Sequence, residues 1–186
     1  PSALFLADRS DEVSGASVFA GIEGSRPLLV EIQSLTTPSP LATPRRAVVG
    51  WNNNRLAMIM AVLEARCGLN LSGMDVFLNV AGGLKISEPA ADLAVAAALV
   101  SSVSGVAMPA ETVIFGEIGL SGEIRTVPQV NARLKEASKL GFSRAIVPTP
   151  PRSGNGGGKA ATTPANGLSI TEVSKLEDLL ALLCAP

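Results

Sequence analysis

From Ala91 to Val103 the chain is apolar on nearly every side, with Asp92 as its only charge. A helix apolar all round belongs inside a domain rather than on its surface. It is also too short to cross a bilayer, which takes about 20 apolar residues. The strand-like run Val76–Val80 precedes it, Gly82-Gly83 breaks that run, and Lys85-Ile86-Ser87-Glu88-Pro89 turns the chain. The spacing sets Ala90 at a helix N-terminus, where unpaired N–H groups point outward and where enzymes keep a nucleophile or hold an anion. A methyl group supplies neither function.

Alternating and helical patterns predict the remaining elements. Ser17–Glu23 and Pro27–Leu35 read as an antiparallel hairpin around Gly24-Ser25-Arg26. The proline-rich stretch 36–44 reads as a surface loop, and 45–49 as a strand with a basic start. Asn52-Asn53-Asn54 offers N-caps for a helix to about Cys67, with Leu56, Ile59, Met60, Leu63 and Cys67 on its inner face and Gly68 behind it. Thr112–Leu120 and Gly122–Thr126 read as a second hairpin, with Ser121-Gly122 at its tip. Pro128 opens a helix through about Leu140, with Val130, Leu134 and Ala137 inward, and Gly141 ends it. Arg144–Val147 and Leu168–Val173 read as strands. A last helix is capped by Ser174, with Glu177 completing a capping box. Four helices with seven or eight strands, hairpins among them, predict an α+β fold of mixed sheets rather than a doubly wound sheet.

Composition narrows the chemistry. The 186 residues suit one domain, and with 3% aromatics the core must be aliphatic. A net charge of -1 gives no global field toward nucleic acid or membrane, so any DNA contact rests on local basic groups. There is no histidine, which excludes Ser-His-Asp and Cys-His catalysis and His-ligated metal within the chain. Cys67 and Cys184 fit no metal spacing and read as two reduced, buried thiols of a cytoplasmic protein. The Gly/Pro-rich segment 148–167 reads as a flexible loop. Its Gly154–Lys159 run is not a P-loop, because Ser153 stands where a glycine is needed and Ala160 replaces the metal-binding hydroxyl.

Strand, Gly-Gly, Glu88-Pro89-Ala90-Ala91-Asp92, apolar helix, Gly116-Glu117-Ile118 and helix follow one another in an order that resembles the proteolytic domain of the Lon proteases. The resemblance implies a Lon-like fold in which Ala90 stands at the serine position and Arg133 at that of the lysine base. Alanine has no oxygen, and arginine stays protonated at neutral pH. The implied dyad is degenerate, and no catalytic residue is expected.

Longer phrases, among them residues 2–35, 44–64, 75–83, 91–102, 115–125 and 144–148, resemble the C-terminal domain of the RadA (Sms) family of bacterial DNA repair proteins. That resemblance implies a parent with a zinc finger and a RecA-like ATPase ahead of this domain. The parent would be a hexameric, DNA-dependent branch-migration motor acting beside the recombinase RecA. ATP, magnesium and zinc are expected there, and no cofactor or metal in this stretch. The chain opens on Pro1, without a methionine, and is expected to be a piece of such a protein, with 1–14 an entry segment and 15–186 the domain.

Candidate DNA-phosphate contacts are Arg45, Arg46 and Arg55 around one strand–helix junction, and Arg125, Arg133, Lys135, Lys139 and Arg144 in the second half. Aromatics for base stacking are nearly missing, so stacking on single strands is not expected. Lys85 and Glu88 read as a solvated surface pair. Two other readings stand beside a DNA-contacting hexamer scaffold: a peptidase using Ser87 or Ser101 with Lys85, and a peptide-binding module in a relic substrate groove near Ala90.

Overall fold

The computed structural model describes residues 13–151 and 167–184. Nine strands and four helices lie within them: β1 Ala16–Glu23, β2 Arg26–Pro38, β3 Arg46–Val49, α1 Asn53–Cys67, β4 Met74–Val80, α2 Asp92–Ser104, β5 Thr112–Ile114, β6 Glu117–Ile118, β7 Ile124–Arg125, α3 Val130–Lys139, β8 Arg144–Pro148, β9 Ser169–Val173 and α4 Leu176–Cys184. Seven strands form one sheet in the order β3-β4-β2-β1-β5-β8-β9, and β6-β7 is a separate ribbon.

The β1–β2 hairpin is antiparallel, as its pattern predicts. The expectation of an α+β class needs correction. Four of the six pairings in the large sheet are parallel, so the class is α/β with a mixed sheet. The pattern could not show this, because β1 finds β5 across about a hundred residues of intervening chain.

α2 lies against β1 and β2, with α1 and α4 packed on it. Every residue from Asp92 to Ser101 is buried, the all-round enclosure that its composition requires. Leu29, Val30, Glu31 and Ile32 are buried in succession, so both faces of β2 are covered here, by α2 and by α3. The inner stripe of α1 is buried at Leu56, Ile59, Met60 and Leu63, and Asn52 Oδ1 caps it by accepting the Arg55 N–H at 3.0 Å. Gly68 ends this helix in the left-handed region.

Several boundaries differ from the sequence expectations, each for a local reason. β2 runs on to Pro38, because Thr36 and Thr37 pair with Val76 and Asp75 of β4. The Thr112–Leu120 strand breaks at Phe115-Gly116. Gly116 turns both its backbone groups to the 90–93 turn, donating to Ala90 O at 2.8 Å and accepting from Leu93 N–H at 3.0 Å. α4 is capped by Asp178 rather than by Glu177: its Oδ2 accepts the N–H groups of Ser174 and Lys175. The loop expectation for 148–167 and the entry segment 1–14 fall largely outside the described residues. No helix among the described residues is long and apolar enough to cross a membrane.

Where β4 meets β3, a fully buried carboxylate fixes the sheet edge. Asp75 accepts from Arg45 Nε at 3.0 Å, from Arg45 Nη2 at 2.7 Å and from the Arg45 backbone N–H at 2.7 Å. The Arg45 side chain, and next its backbone N–H, hold this carboxyl down from 3.8 to about 2. A depressed folded-state pKa stabilises the fold above the unfolded value, and that stabilisation is lost as pH falls through the folded one. Acid unfolding of wild type should therefore steepen as pH falls from 3.8 toward about 2, and Asp75→Asn should flatten that stretch of the stability–pH curve. Identical curves for the two proteins would contradict the assignment.

Candidate functional site

The turn before α2 is a short 3-10 segment, Pro89–Ala91, and Ala90 is 4% exposed. Its backbone is already used. Ala90 O accepts from Gly116, and the N–H groups of Ala91, Asp92 and Leu93 donate to Glu88 O, Pro89 O and Gly116 O. An anion arriving here would find these donors taken and two carboxylates, Glu88 and Asp92, on either side.

Arg133 reaches the turn from the first half of α3 and is the largest fully buried side chain, 1% exposed. Its Nη1 and Nη2 donate to Glu88 Oε1 and Oε2 at 3.1 and 2.8 Å, a two-pronged carboxylate contact. Nη1 also donates to Ala20 O at 2.9 Å and Nε to Pro128 O at 3.0 Å. The Phe19 and Phe115 rings flank the guanidinium, their centroids 6.0 and 5.6 Å from its carbon.

This contact occupies a place in the sheet. The parallel β1–β5 pairing stops at Phe19↔Ile114. Beyond it, Ala20 O and Ile22 N–H face the gap, the two groups that a parallel neighbour opposite Gly21 would engage. Arg133 donates to the first at 2.9 Å and Glu88 accepts from the second at 2.8 Å. The ion pair thus continues the ladder where the strand has left. Gly21 is required there, since a Cβ would stand 2.7 Å from the Phe19 ring and 3.1 Å from Glu88 Oε1.

A second buried pair lies one helical turn on. Asp92, fully buried, accepts from Arg55 Nε at 2.8 Å, from Arg55 Nη2 and from Ile118 N–H at 3.1 Å. Burial pushes the Asp92 carboxyl up, against the pull of Arg55 and of the Ile118 amide, while the hydrogen bond to Asp92 holds the Arg55 proton above its usual range. The two ends argue in opposite senses about the pair. Arginine stays charged in either case, and both Asp92 oxygens accept from N–H donors, which favours the ionised carboxylate.

The basic candidates divide accordingly. Arg133 is inside, which corrects its place among the surface DNA contacts. Arg45 is bonded to Asp75, Arg46 Nη1 to the carbonyls of Arg45 and Met74, and Arg55 to Asp92. Arg125 on β7, Lys135 and Lys139 one turn apart on α3, and Arg144 at the start of β8 are exposed. Glu88 is paired with Arg133, not with Lys85 in solvent as the sequence suggested. Ser101 is buried, donating to Val106 O at 2.6 Å and accepting from Gly15 N–H at 2.8 Å, so its hydroxyl is structural. Ser87 is exposed, and among the described residues it makes no hydrogen bond with Lys85. Burial, and then Glu177, push the half-buried Cys67 thiol up and away from thiolate chemistry, while Cys184 is exposed on α4, not buried as the sequence suggested. No cluster of three or more potential metal ligands lies among the described residues.

Beside the turn runs a groove of about 350 Å³, lined by the β1–β2 hairpin and by residues 84–88. Glu88 is on its wall, and Ala90 is not.

Removing one member of a buried pair leaves the other charge stranded, at a cost of roughly 3–5 kcal/mol. Arg133→Met should reach the lower part of that range in urea unfolding, since Glu88 keeps some solvent contact. Replacing both partners by apolar residues often restores stability elsewhere. Here Glu88→Leu with Arg133→Met should stay destabilised, because Ala20 O, Pro128 O and Ile22 N–H lose their partners. Wild-type stability in the double variant would contradict this role.

Comparison with known proteins follows the same boundaries. A family model described as "Subunit ChlI of Mg-chelatase" matches residues 44–150, from just before β3 to the end of β8. That span holds the turn, the Gly116 crossing and Arg133. The chain is 56% identical over 185 residues to a protein named DNA repair protein RadA from Brucella abortus, covering 100% of this chain and 38% of that protein. It is 58% identical over 146 residues to the protein of that name from Rickettsia felis, 78% of this chain and 33% of that one. For Haemophilus influenzae the figures are 50% over 184 residues, 98% and 38%. The chain therefore spans little more than a third of the length of these curated relatives. Since the model's match takes in more than half of its residues, the chain belongs to the family described as subunit ChlI of Mg-chelatase.

Proposed function

We propose that this chain is a non-catalytic, Lon-like domain of a RadA-type DNA repair protein, acting as scaffold and DNA-contacting surface. Its parent is an ATP-driven branch-migration motor of homologous recombination, working with RecA, whose ATP, magnesium and zinc sites lie in other domains. The observation that carries the non-catalytic part is the Glu88–Arg133 pair beside Ala90. The position where a Lon-like dyad would act holds a methyl group and a permanently charged guanidinium engaged through all three of its nitrogens. The similarity to proteins named DNA repair protein RadA supports the repair context.

Sequence-independent contact with DNA then falls to exposed cations, chiefly Arg125, Lys135, Lys139 and Arg144. Self-association into a hexameric ring needs a head-to-tail interface that closes. A second reading rests on the groove beside residues 84–88, whose extended walls suit a peptide segment. Pull-down of a peptide partner that is abolished when Gly24 or Ser87 is replaced by a bulky residue would favour it.

Two outcomes test the main reading. The affinity of the chain for DNA should fall linearly on log–log axes with salt. Neutralising Arg125, Lys135, Lys139 and Arg144 to Gln should flatten that slope by about 0.9 for each phosphate that no longer has a cation beside it. An unchanged slope would remove these residues from the interface. Fluorogenic peptides should stay intact with wild type and with Ala90→Ser alike, since a hydroxyl there meets no base. Turnover by either protein would overturn the non-catalytic assignment.

A further inference from the structure

The outward face of β2, β4 and β3 carries the strongest unassigned chemistry. Among the described residues no helix packs over its far end. Leu35 is 62% and Val49 58% exposed, and Gln33, Ala47 and Asn79 are exposed around them. Register sets Leu35, Phe77 and Ala47 side by side across the three strands, and Gln33, Asn79 and Val49 in the next row. Among the described phenylalanines, Phe19 and Phe115 are enclosed in the core and Phe142 is half-buried against it, while Phe77 is half-buried on this open face. The Arg45 guanidinium lies 6.0 Å from the centre of its ring.

We infer that this face is a stacking platform for a single-stranded nucleic acid. The inference rests on the DNA-contacting reading above and gives it a substrate class. A nucleotide presents three chemistries, and the face answers each. Phe77 and the planar Arg45 offer stacking surfaces for a base. Asn79 Nδ2 donates to Gln33 Oε1 at 3.1 Å and Gln33 Nε2 to Glu31 Oε1 at 2.8 Å, which leaves the Asn79 carbonyl and one further N–H on each amide for a base edge. Arg45, with a side chain 56% exposed, and Arg46 at the sheet edge offer charge to phosphate. Their Nη1 and Nη2 edges respectively donate to none of the described residues. The carboxylates on this face, Asp75 and Glu31, are 0% and 8% exposed and do not confront an incoming phosphate. Strands about 4.8 Å apart make the face about 10 Å wide, room for one or two bases.

The test is fluorescence anisotropy of a labelled oligothymidylate, and of a duplex of equal length, with the 186-residue chain, wild type and two variants. Phe77→Leu keeps an apolar side chain and removes the ring, and Phe77→Trp enlarges the stacking surface. Leu should weaken oligothymidylate binding about tenfold and leave duplex binding unchanged, while Trp should match or exceed wild type. Circular dichroism shows whether each variant is folded. If wild type binds neither probe, the DNA reading fails and this inference with it. If wild type binds the single strand and Phe77→Leu binds it equally well, the platform alone is overturned. A change of sedimentation coefficient in Phe77→Leu with unaltered DNA affinity also overturns it, by showing that a second copy covers the face.

Discussion

A buried ion pair takes the place of a missing strand neighbour. β1 and β5 run together for two residue pairs and then part, leaving the buried Ala20 O and the half-buried Ile22 N–H without a ladder partner. An unpaired backbone group in such a place costs as much as a lost hydrogen bond. Arg133 and Glu88 fill both positions and neutralise one another while doing so. The pair also ties α3 to the turn that starts α2, so three elements distant in sequence are fixed at one point. Gly21 is the condition for it, since any side chain there would strike Phe19 and crowd the carboxylate.

The same contact decides what the site can do. A helix N-terminus with spare amides, a nearby cation and a small residue is how many anion and acyl-transfer sites begin. Here the turn's backbone donors are spent on Glu88, Pro89 and Gly116, and the cation is held by a carboxylate and two carbonyls. What remains on the outside is a shaped surface: a groove along residues 84–88, scattered cations on β7, α3 and β8, and an open sheet face with Phe77 at its centre. In the function proposed above, such a surface serves binding.

The sequence discloses the parts of this that depend on local pattern. The α2 core helix, the Asn52 cap, the first hairpin and the inner stripe of α1 all follow from periodicity and capping chemistry. Motif order points to Ala90 and Arg133, and the structure brings Arg133 to the wall of that turn. The pairing of Glu88 with Arg133 is not legible in the sequence, because it joins residues 45 apart and because a glutamate beside a lysine looks solvated. The second pair does leave a trace. Asp92 is a lone carboxylate in an otherwise apolar helix, and a buried carboxylate demands a partner; Arg55 supplies it. The parallel pairings escape local pattern because strand order is set by contacts across the whole chain. A low aromatic content likewise hides the outward placement of Phe77.

The central claim is that the Glu88–Arg133 pair closes the gap beside β1 as firmly as a strand would. Native-state amide hydrogen exchange at Ile22 tests it most directly. The account requires this amide to exchange only through global unfolding, with protection like that of Leu93 in the core. Exchange of Ile22 at the rate of the neighbouring hairpin turn at Gly24 would show an open gap and contradict it.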